Sequence, residues 1–273
     1  MKRWIGLVMA AALLALSGCA AAENLRVEFY DVGKADAMLI TTPAGERILI
    51  DAATNKQGKK LVERFQKAGV DTIDVMIITH YDKDHVGGAD KILEEIAVKQ
   101  VIMPVYDKES KQHTQFEEAL AQIGDVDVYR IGTGGEEAFE SGDGVTMHVT
   151  AAHEAYYGKD EENDFSLAVR MTYGDTKLLF AGDAEAPRQR ELLEEGDVAC
   201  DVLKVPYHGR MTAMSGEFLA ACAPKIAYIT DDEDDPASEE LIGILEALGT
   251  QVYTSRNDGD VVVISDGHSV SVQ

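Results

Sequence analysis

The order of apolar and polar positions in the first half of the chain predicts three strands and then alternating helices and strands. Alternation with a period of two indicates a strand, and apolar residues three and four positions apart indicate a helix. Strands are predicted at residues 25–32, 37–42, 47–53, 71–80 and 100–105, and helices at residues 58–69, 89–98 and 113–124. The unbroken apolar run that ends at Ile78 predicts a buried strand.

The second half of the chain repeats this order. Residues 165–183 predict a hairpin that turns at Gly174 and Asp175. Further strands are predicted at residues 200–209 and 225–230 and around the Asp-Gly pairs at 258–259 and 266–267, and helices at residues 184–195, 215–224 and 237–249. Two such halves predict one α/β domain in which two sheets pack between outer helices, an αββα four-layer sandwich.

The first 24 residues differ in character from this domain, which spans residues 25–273. A basic start, an apolar stretch at residues 4–16 and the tetrapeptide LSGC ending at Cys19 are typical of a bacterial lipoprotein signal. We expect residues 1–18 to be cleaved off as a signal peptide, Cys19 to be lipidated, and residues 19–24 to act as a tether. The exported protein would then lie on the bacterial cell membrane, facing away from the cytoplasm. An ordinary secretory signal that contains a cysteine is the alternative.

The charge of the chain restricts its partners. The sequence has 49 acidic residues against 25 basic ones, a net charge of −24. Such a charge repels polyanions, because nucleic-acid binding depends on Lys and Arg that replace counterions on phosphates. Nucleic acid is therefore not an expected partner, although a local basic patch would change this, and divalent cations are attracted.

Four potential metal ligands follow the buried strand within six positions. They are His80, Asp82, Asp84 and His85 in the segment THYDKDHVGG. Loops at strand ends in α/β proteins commonly carry ligand-binding groups, and imidazole with carboxylate suits zinc, manganese or iron. The glycine pair at residues 87–88 is expected to let the backbone turn tightly into the next helix. A solvated turn is the competing interpretation.

This segment resembles the H-x-H-x-D-H signature of the metallo-β-lactamase superfamily, with an aspartate at the third position. That variant is similar to the metallo-hydrolase domain of ComEC-type DNA-uptake proteins. Four further segments resemble the same domain in the same order: FYDVGKADAMLITTPAGERILIDAA, NDFSLAVRMTYGDTKLLFAGD, DVLKVPYHG and NDGDVVVISDG. The resemblance covers nearly all of residues 25–273 and implies a hydrolase that acts on a phosphodiester or another ester or amide.

The resemblance also implies a centre of two divalent metal ions, zinc or manganese. His80 and Asp82 would bind one ion, His85, Asp84 and His208 the other, and Asp183 would bridge them. Asp84 and Asp183 would be the catalytic carboxylates, with Asp84 also able to orient the attacking water. In the superfamily, such ions activate water and stabilise developing charge.

The surroundings of this centre agree with the family pattern only in part. Asn163 and Ser166 match the family's N-N-x-S and are expected to line the pocket, with turn or capping roles as the alternative. Tyr207 and Arg210 flank His208 and are expected to hold an oxyanion or a phosphate, or else to cover the loop.

Four elements depart from that pattern. Lys34 and Ala35 stand where the family has glutamine and glycine, and Tyr207-His208-Gly209-Arg210 stands for H-H-G-S. Asp234-Asp235-Pro236 replaces G-H-P, so a histidine is absent there, and the sequence DAAT (residues 51–54) lacks the usual glycine. These changes favour a non-catalytic exported binding or scaffolding module as an alternative function.

The remaining candidate residues carry weaker signals. His153 lies between the ligand motifs, where the superfamily often has a further histidine, whereas His148 fits a half-exposed strand position. Cys200 and Cys222 are expected in the core, with a disulfide between them left open. A nuclease with a basic groove built from Lys204 and Arg210 is a third possible function.

Overall fold

The computed structural model describes residues 24–158 and 162–273. The predicted signal peptide, Cys19 and nearly all of the tether lie outside the described residues, so the predictions of cleavage and lipidation stay predictions. Within the described ranges, none of the helices has the length and apolarity needed to cross a membrane.

The described residues form two mixed sheets. The eight-stranded sheet has, in spatial order, β15 (Val270–Val272), β14 (Val261–Ser265), β1 (Leu25–Phe29), β2 (Met38–Thr41), β3 (Arg47–Ile50), β4 (Thr72–Ile77), β5 (Ala97–Pro104) and β6 (Asp127–Ile131). The seven-stranded sheet has β13 (Gln251–Thr254), β12 (Ile226–Ile229), β11 (Val202–Lys204), β10 (Thr176–Phe180), β9 (Ala168–Tyr173), β8 (Val145–Thr150) and β7 (Glu136–Glu140). Strands β3 to β6 run parallel to one another, as do β10 to β13.

Helices cover the outer faces of both sheets. They are α1 (Asn55–Lys67), α2 (Ala89–Glu95), α3 (Lys111–Gln122), α4 (Ala186–Glu195), α5 (Ser215–Cys222), α6 (Glu239–Ala247) and α7 (Ser255–Asp258), with short 3₁₀ turns at Glu162–Phe165 and Pro206–Gly209. Thr54 begins α1 by accepting a hydrogen bond from the Gln57 amide, and Ser110 and Ser238 cap α3 and α6 in the same way.

Three apolar cores hold these layers together. The central core lies between the sheets, where Phe29 of β1 stacks on Tyr228 of β12 at 4.7 Å between ring centroids. One outer core packs α1, α2 and α3 on the first sheet, and the other packs α4, α5 and α6 on the second. The αββα sandwich predicted from the sequence is therefore confirmed.

Several predicted boundaries were wrong where tertiary pairing overrides the local pattern. The helix predicted at residues 89–98 ends at Glu95, because β5 pairs with β4 from Ala97 onward. The strand predicted at residues 200–209 is limited to Val202–Lys204, since the chain then turns sharply. Strands β6 and β7 were not predicted, because most of their residues are exposed or half-buried and neither contains a run of buried apolar residues.

Candidate metal centre

Three loops at the carboxyl ends of strands bring the predicted ligands together. His80 and His85 follow β4, Asp183 follows β10, and His208 follows β11. All four residues are buried, with at most 4% of each exposed. The parallel strands end at the same side of the two sheets, which is where α/β folds gather ligand-binding side chains. Two distant segments thus meet the histidine-rich loop that the sequence singled out.

The side chains of this cluster lie at distances suited to a shared cation. Asp183 Oδ2 lies 3.0 Å from His208 Nε2, and Asp183 Oδ1 lies 3.4 Å from His85 Nε2. The His80 and His85 rings are 4.0 Å apart between centroids. One potential ligand atom from each of His80, His85 and Asp183 falls within 4.8 Å of the others. Asp183 therefore lies between the histidine-rich loop and His208.

Four buried atoms in this cluster have no hydrogen-bond partner. They are the Nε2 atoms of His80, His85 and His208 and the Oδ1 atom of Asp183. Buried polar atoms are nearly always satisfied, and each one left alone costs free energy. Convergent imidazole nitrogens and a carboxylate oxygen are the donor set that zinc and related ions bind. The residues present therefore fit a metal centre.

The opposite nitrogen of each ring is held by an acceptor. His85 Nδ1 lies 2.8 Å from Asp51 Oδ2, and His208 Nδ1 lies 3.0 Å from the Thr230 carbonyl. His80 Nδ1 lies 3.2 Å from Thr79 Oγ1, whose hydroxyl already donates to Asp51. A proton on each Nδ1 satisfies these contacts and leaves the Nε2 lone pair directed at the centre. This is the orientation that metal binding requires.

A buried ion pair lies behind the centre, and the sequence did not reveal its role. Lys204 is fully buried, contacts the Asp36 carboxylate, and has its Nζ 3.5 Å from Asp183 Oδ1. Asp36 faces the Nδ1 side of His85 and His208 at 3.7 Å and accepts a hydrogen bond from Thr230 Oγ1, so it supports the rings from outside. The available signal was a lysine within the otherwise apolar strand VLKV.

The electrostatics of the centre favour a cation. Burial lowers the pKa of His80 to about 4. Burial also opposes charge on His85 and His208, but Asp183 and the neighbouring carboxylates outweigh it and raise the pKa of both rings. Although burial favours the neutral acid, His208, His85 and Lys204 hold the pKa of Asp183 well below its usual range. The carboxylates are therefore ionised and attract positive charge.

The two aspartates of the motif lie differently. Asp84 is 9% exposed and has its Oδ2 atom 3.5 Å from His208 Nε2, at the edge of the cluster. The Asp82 side chain is 34% exposed, and its Oδ1 atom lies 2.9 Å from Lys108 Nζ, which also contacts Glu162. Asp82 thus faces a lysine that sequence reasoning did not identify, while Asp84 faces the centre.

Ser166 and Asn163 have separate roles in the structure. Ser166 is fully buried, accepts a hydrogen bond from the Asp183 amide at 3.0 Å, and lies 3.4 Å from His80 Nδ1. It therefore links two ligand loops. Asn163 donates to Glu185 Oε1 at 2.8 Å, near the start of α4.

A side chain at Gly182, where φ is +53°, would clash with Ser166 Oγ at 2.7 Å, so glycine is required there.

The loop that carries His208 has an unusual backbone. Tyr207 and His208 adopt left-handed conformations, with φ of 53° and 50°. Such strain in residues other than glycine persists only where surrounding contacts enforce it, and it concentrates at functional sites. Arg210 contacts Asp235, and its guanidinium carbon lies 5.4 Å from the centroid of the Tyr207 ring.

The glycine pair after the motif is required by close packing. A Cβ atom on Gly88 would lie 2.2 Å from the Ala52 carbonyl oxygen, and one on Gly87 would lie 2.1 Å from the Lys83 carbonyl oxygen. Neither glycine has a positive φ. Residues 83–88 form a turn that leads into α2, as expected, and Lys83 belongs to this turn. At Gly88 the close approach of α1 at Gly58 is a second reason for glycine.

The other candidate residues lie in different surroundings. The His153 ring is 3.1 Å from Glu195, and the half-exposed His148 of β8 is 2.9 Å from Glu136. Both histidines line a surface cleft of about 290 Å³ beside the second sheet. Cys222 is buried, Cys200 is half-buried, and both are free thiols.

The fold and this cluster define the class of protein. The chain belongs to the metallo-β-lactamase superfamily, whose family model matches residues 30–230. The chain is similar to ComE operon protein 3 of Bacillus subtilis, with 27% identity over 271 residues that cover 91% of this chain and 34% of that protein. It is also similar to Recombination protein 2 of Haemophilus influenzae, with 25% identity over 228 residues that cover 82% of this chain and 26% of that protein.

These similarities confirm the predicted resemblance to the superfamily and to ComEC-type competence proteins. The chain spans about a third or less of the length of these relatives. Among solved structures, the metallo-β-lactamase fold protein YhfI of Bacillus subtilis has a TM-score of 0.55 at 11% identity, covering 86% of this chain and 98% of that one. This similarity concerns the fold alone.

Proposed function

We propose that the chain is a metal-dependent hydrolase that attacks an ester, phosphodiester or amide bond with metal-activated water. The observation that carries this proposal is the convergence of four buried ligand atoms without a hydrogen-bond partner, one each from His80, His85, Asp183 and His208. Buried polar atoms are normally satisfied, and a bound metal centre would satisfy all of these at once.

The ligands would divide between two divalent ions, zinc or manganese. His80 and Asp82 would bind the first ion and His85, Asp84 and His208 the second, with Asp183 shared. Asp183 faces His85 and His208, which supports it as a ligand of the second ion. Its grouping with His80 and His85 supports its reach to the first ion. Bound ions supply a lowered pKa for a coordinated water and stabilise charge that develops on the attacked group.

The protein's own groups orient the reaction. Burial would favour a neutral Asp84, but the nearby His208 and His85 imidazoles hold the pKa of its carboxyl far below the usual range. An ionised carboxylate at the edge of the centre accepts a hydrogen bond from the attacking water and orients it. Behind the centre, Asp51, Thr79 and Ser166 fix the rings, so that little reorganisation is needed during the reaction.

The first test is elemental analysis of the purified protein, followed by a screen of phosphodiester, phosphomonoester, lactam and thioester substrates. We expect stoichiometric zinc or manganese and turnover of one substrate class. Asp183→Asn and His85→Ala should lose both metal and turnover. The matched control is His268→Ala, because His268 is an exposed histidine whose ring pairs with Asp175. Undiminished turnover by metal-free protein would contradict the proposal that hydrolysis depends on metal.

A non-catalytic binding module remains the second candidate, and one contact favours it. The pairing of Asp82 with Lys108 satisfies a residue that the first metal ion needs. Protein that holds no stoichiometric metal after dialysis against zinc and manganese would support this alternative, because the proposed hydrolysis requires bound metal.

One of the two residues proposed for the basic groove of a nuclease does not lie on the surface. Lys204 is fully buried against Asp36 and cannot line a surface groove. Arg210 is available, but the net charge of −24 opposes binding to a polyanion. Strong DNA binding that weakens steeply with salt would restore this hypothesis.

We also propose that the protein is exported and held on the cell membrane by lipid on Cys19. The support is the sequence of residues 1–19 alone. Metabolic labelling with a radioactive fatty acid should label the protein and partition it with membranes. Cys19→Ala should lose the label and the membrane association, and equal labelling of that variant would contradict the proposal.

A further inference from the structure

Three departures from the family pattern, far apart in sequence, lie side by side at the edge of the metal centre. Asp235 Oδ2 contacts the Arg210 guanidinium, and it lies 3.9 Å from Lys34 Nζ. Tyr207, a fourth departure, stacks beside Arg210. We call these four residues, Lys34, Tyr207, Arg210 and Asp235, the charged rim. The four residues that depart from the family pattern therefore form one connected group, and they are not scattered over the surface.

The charged rim is a built structure, because one carboxylate ties its loops together. Asp232 Oδ2 accepts a hydrogen bond from the Lys34 amide at 3.3 Å, and Asp232 Oδ1 accepts one from the Asp235 amide at 2.9 Å. The Ser238 amide donates to the Gly209 carbonyl at 3.0 Å, which joins the Asp235 loop to the Arg210 loop. Three loops thus hold the charged groups in fixed positions.

The rim faces the reacting side of the centre. Lys34 Nζ lies 3.3 Å from Asp84 Oδ2, and the lysine side chain remains 22% exposed. Arg210 is 43% exposed and Asp235 33% exposed, so solvent and small molecules reach all three. Asp84 belongs to the metal centre under the proposed function. Lys34 and Arg210 then share Asp235 as their common carboxylate, while the Asp232 oxygens are taken up by the backbone amides of Lys34 and Asp235.

We infer that Lys34 and Arg210 bind an oxyanion, a carboxylate or phosphate carried by a small substrate, next to the bond that is attacked. The inference rests on the proposed function. Lysine supplies a point charge and arginine a planar fork of donors, a combination that suits carboxylate and phosphate. The chain's net charge of −24 repels a polyanion from a distance, but a small anion senses mainly the nearest charges at physiological salt. The rim therefore selects small anionic substrates.

The inference is tested by calorimetric titration of the metal-loaded protein with inorganic phosphate and, separately, with succinate. We expect Lys34→Met and Arg210→Met each to weaken binding of the preferred anion about tenfold, the loss typical of one charge-assisted hydrogen bond. Metal content is measured first, so that only variants with wild-type metal are compared. The anion that binds with the higher affinity shows whether the site recognises phosphate or carboxylate.

Two matched controls separate this role from a general charge effect. Lys91→Met removes a lysine that is also 22% exposed and also pairs with two carboxylates, Asp90 and Glu94. Arg130→Met removes an arginine that is 47% exposed and pairs with one carboxylate, Glu117. Both should bind the anion within twofold of the wild type. Equal losses in the controls and the rim variants would overturn the inference, as would the absence of anion binding by the wild type.

The Asp235→Asn variant distinguishes a binding role of the rim from a purely structural one, because the two roles predict opposite changes in anion affinity. If Lys34 and Arg210 bind an anion, neutralising the shared carboxylate should tighten anion binding several-fold. If the rim is only a structural ion-pair cluster, the same variant should weaken binding, and that result would overturn the inference. Anion binding that depends on Lys34 and Arg210 without turnover of any substrate would refute the proposed hydrolase and leave the anion site standing.

Discussion

Asp51 offers the sharpest test of how the centre is organised. Its Oδ1 atom accepts a hydrogen bond from the Thr79 amide at 2.8 Å, and its Oδ2 atom lies 2.8 Å from His85 Nδ1 and 2.7 Å from Thr79 Oγ1. Asp51→Asn keeps the shape of the side chain. The new amide nitrogen cannot face the Thr79 amide, because two donors would meet, so it must take the Oδ2 position.

In that position the asparagine donates to His85 Nδ1 instead of accepting from it. The ring must then carry its proton on Nε2, which removes the lone pair directed at the centre. Loss of such a supporting partner typically costs a factor of about 10 to 100 in metal affinity. By the relation between affinity and free energy, this corresponds to about 1.4 to 2.7 kcal/mol.

The assay is competition for zinc against a chromophoric chelator, which gives the dissociation constant directly. Asp74→Asn is the matched control, because Asp74 also accepts a backbone hydrogen bond, from Arg47 at 2.7 Å, and pairs with a surface lysine, Lys99. The control should bind zinc as the wild type does. Zinc binding by Asp51→Asn within twofold of the wild type would refute the assignment of the His85 proton.

Three further predictions concern the frame around the centre. Gly88→Ala should destabilise the protein by about 1 to 3 kcal/mol in chemical denaturation, because its Cβ would lie 2.2 Å from the Ala52 carbonyl oxygen; an unchanged midpoint would contradict this. Glu195→Gln should cost about 2 kcal/mol, since it leaves the fully buried Arg188 with one carboxylate fewer. Despite partial burial, Arg188 and Arg170 lower the pKa of Glu195 below the usual 4.5, so this stabilisation is complete above that pH and is lost as the pH falls through the folded-state pKa. The stability difference between wild type and variant should therefore shrink in acid, and a constant difference would refute the assignment. His153→Ala should leave the metal content unchanged, because its ring faces Glu195; loss of one metal equivalent would make His153 a ligand.

Local pattern was enough to predict the class of fold and the first part of the centre. His80, Asp82, Asp84 and His85 occupy one short loop after an apolar run, so their proximity follows from chain connectivity alone. The hairpin turn at Gly174 and the helix caps are equally local, because they depend on residues within a few positions of one another. Strands β6 and β7 escaped prediction, since their exposed faces give no strong apolar pattern.

The resemblance to a family added Asp183 and His208 to the predicted metal centre. The apolar pattern of the sequence alone does not indicate these two residues. It did not extend to the supporting groups. Asp36 meets Thr230 across 194 residues of chain, and Asp51 meets His85 across 34, and no local signal encodes either contact. Asp82 likewise contacts Lys108, 26 residues away in sequence, and the motif gives no indication of this contact.

The sequence by itself determined the order of the elements, the apolar faces that force two sheets between helices, and the loop where imidazoles and carboxylates concentrate. These depend on spacings within one element or one turn. Only the tertiary structure decided which nitrogen of each histidine is free, that Lys204 is buried against Asp36, and that Lys34, Arg210 and Asp235 form one rim. Those features depend on the directions of side chains from distant strand ends, which are fixed only when both sheets pack face to face.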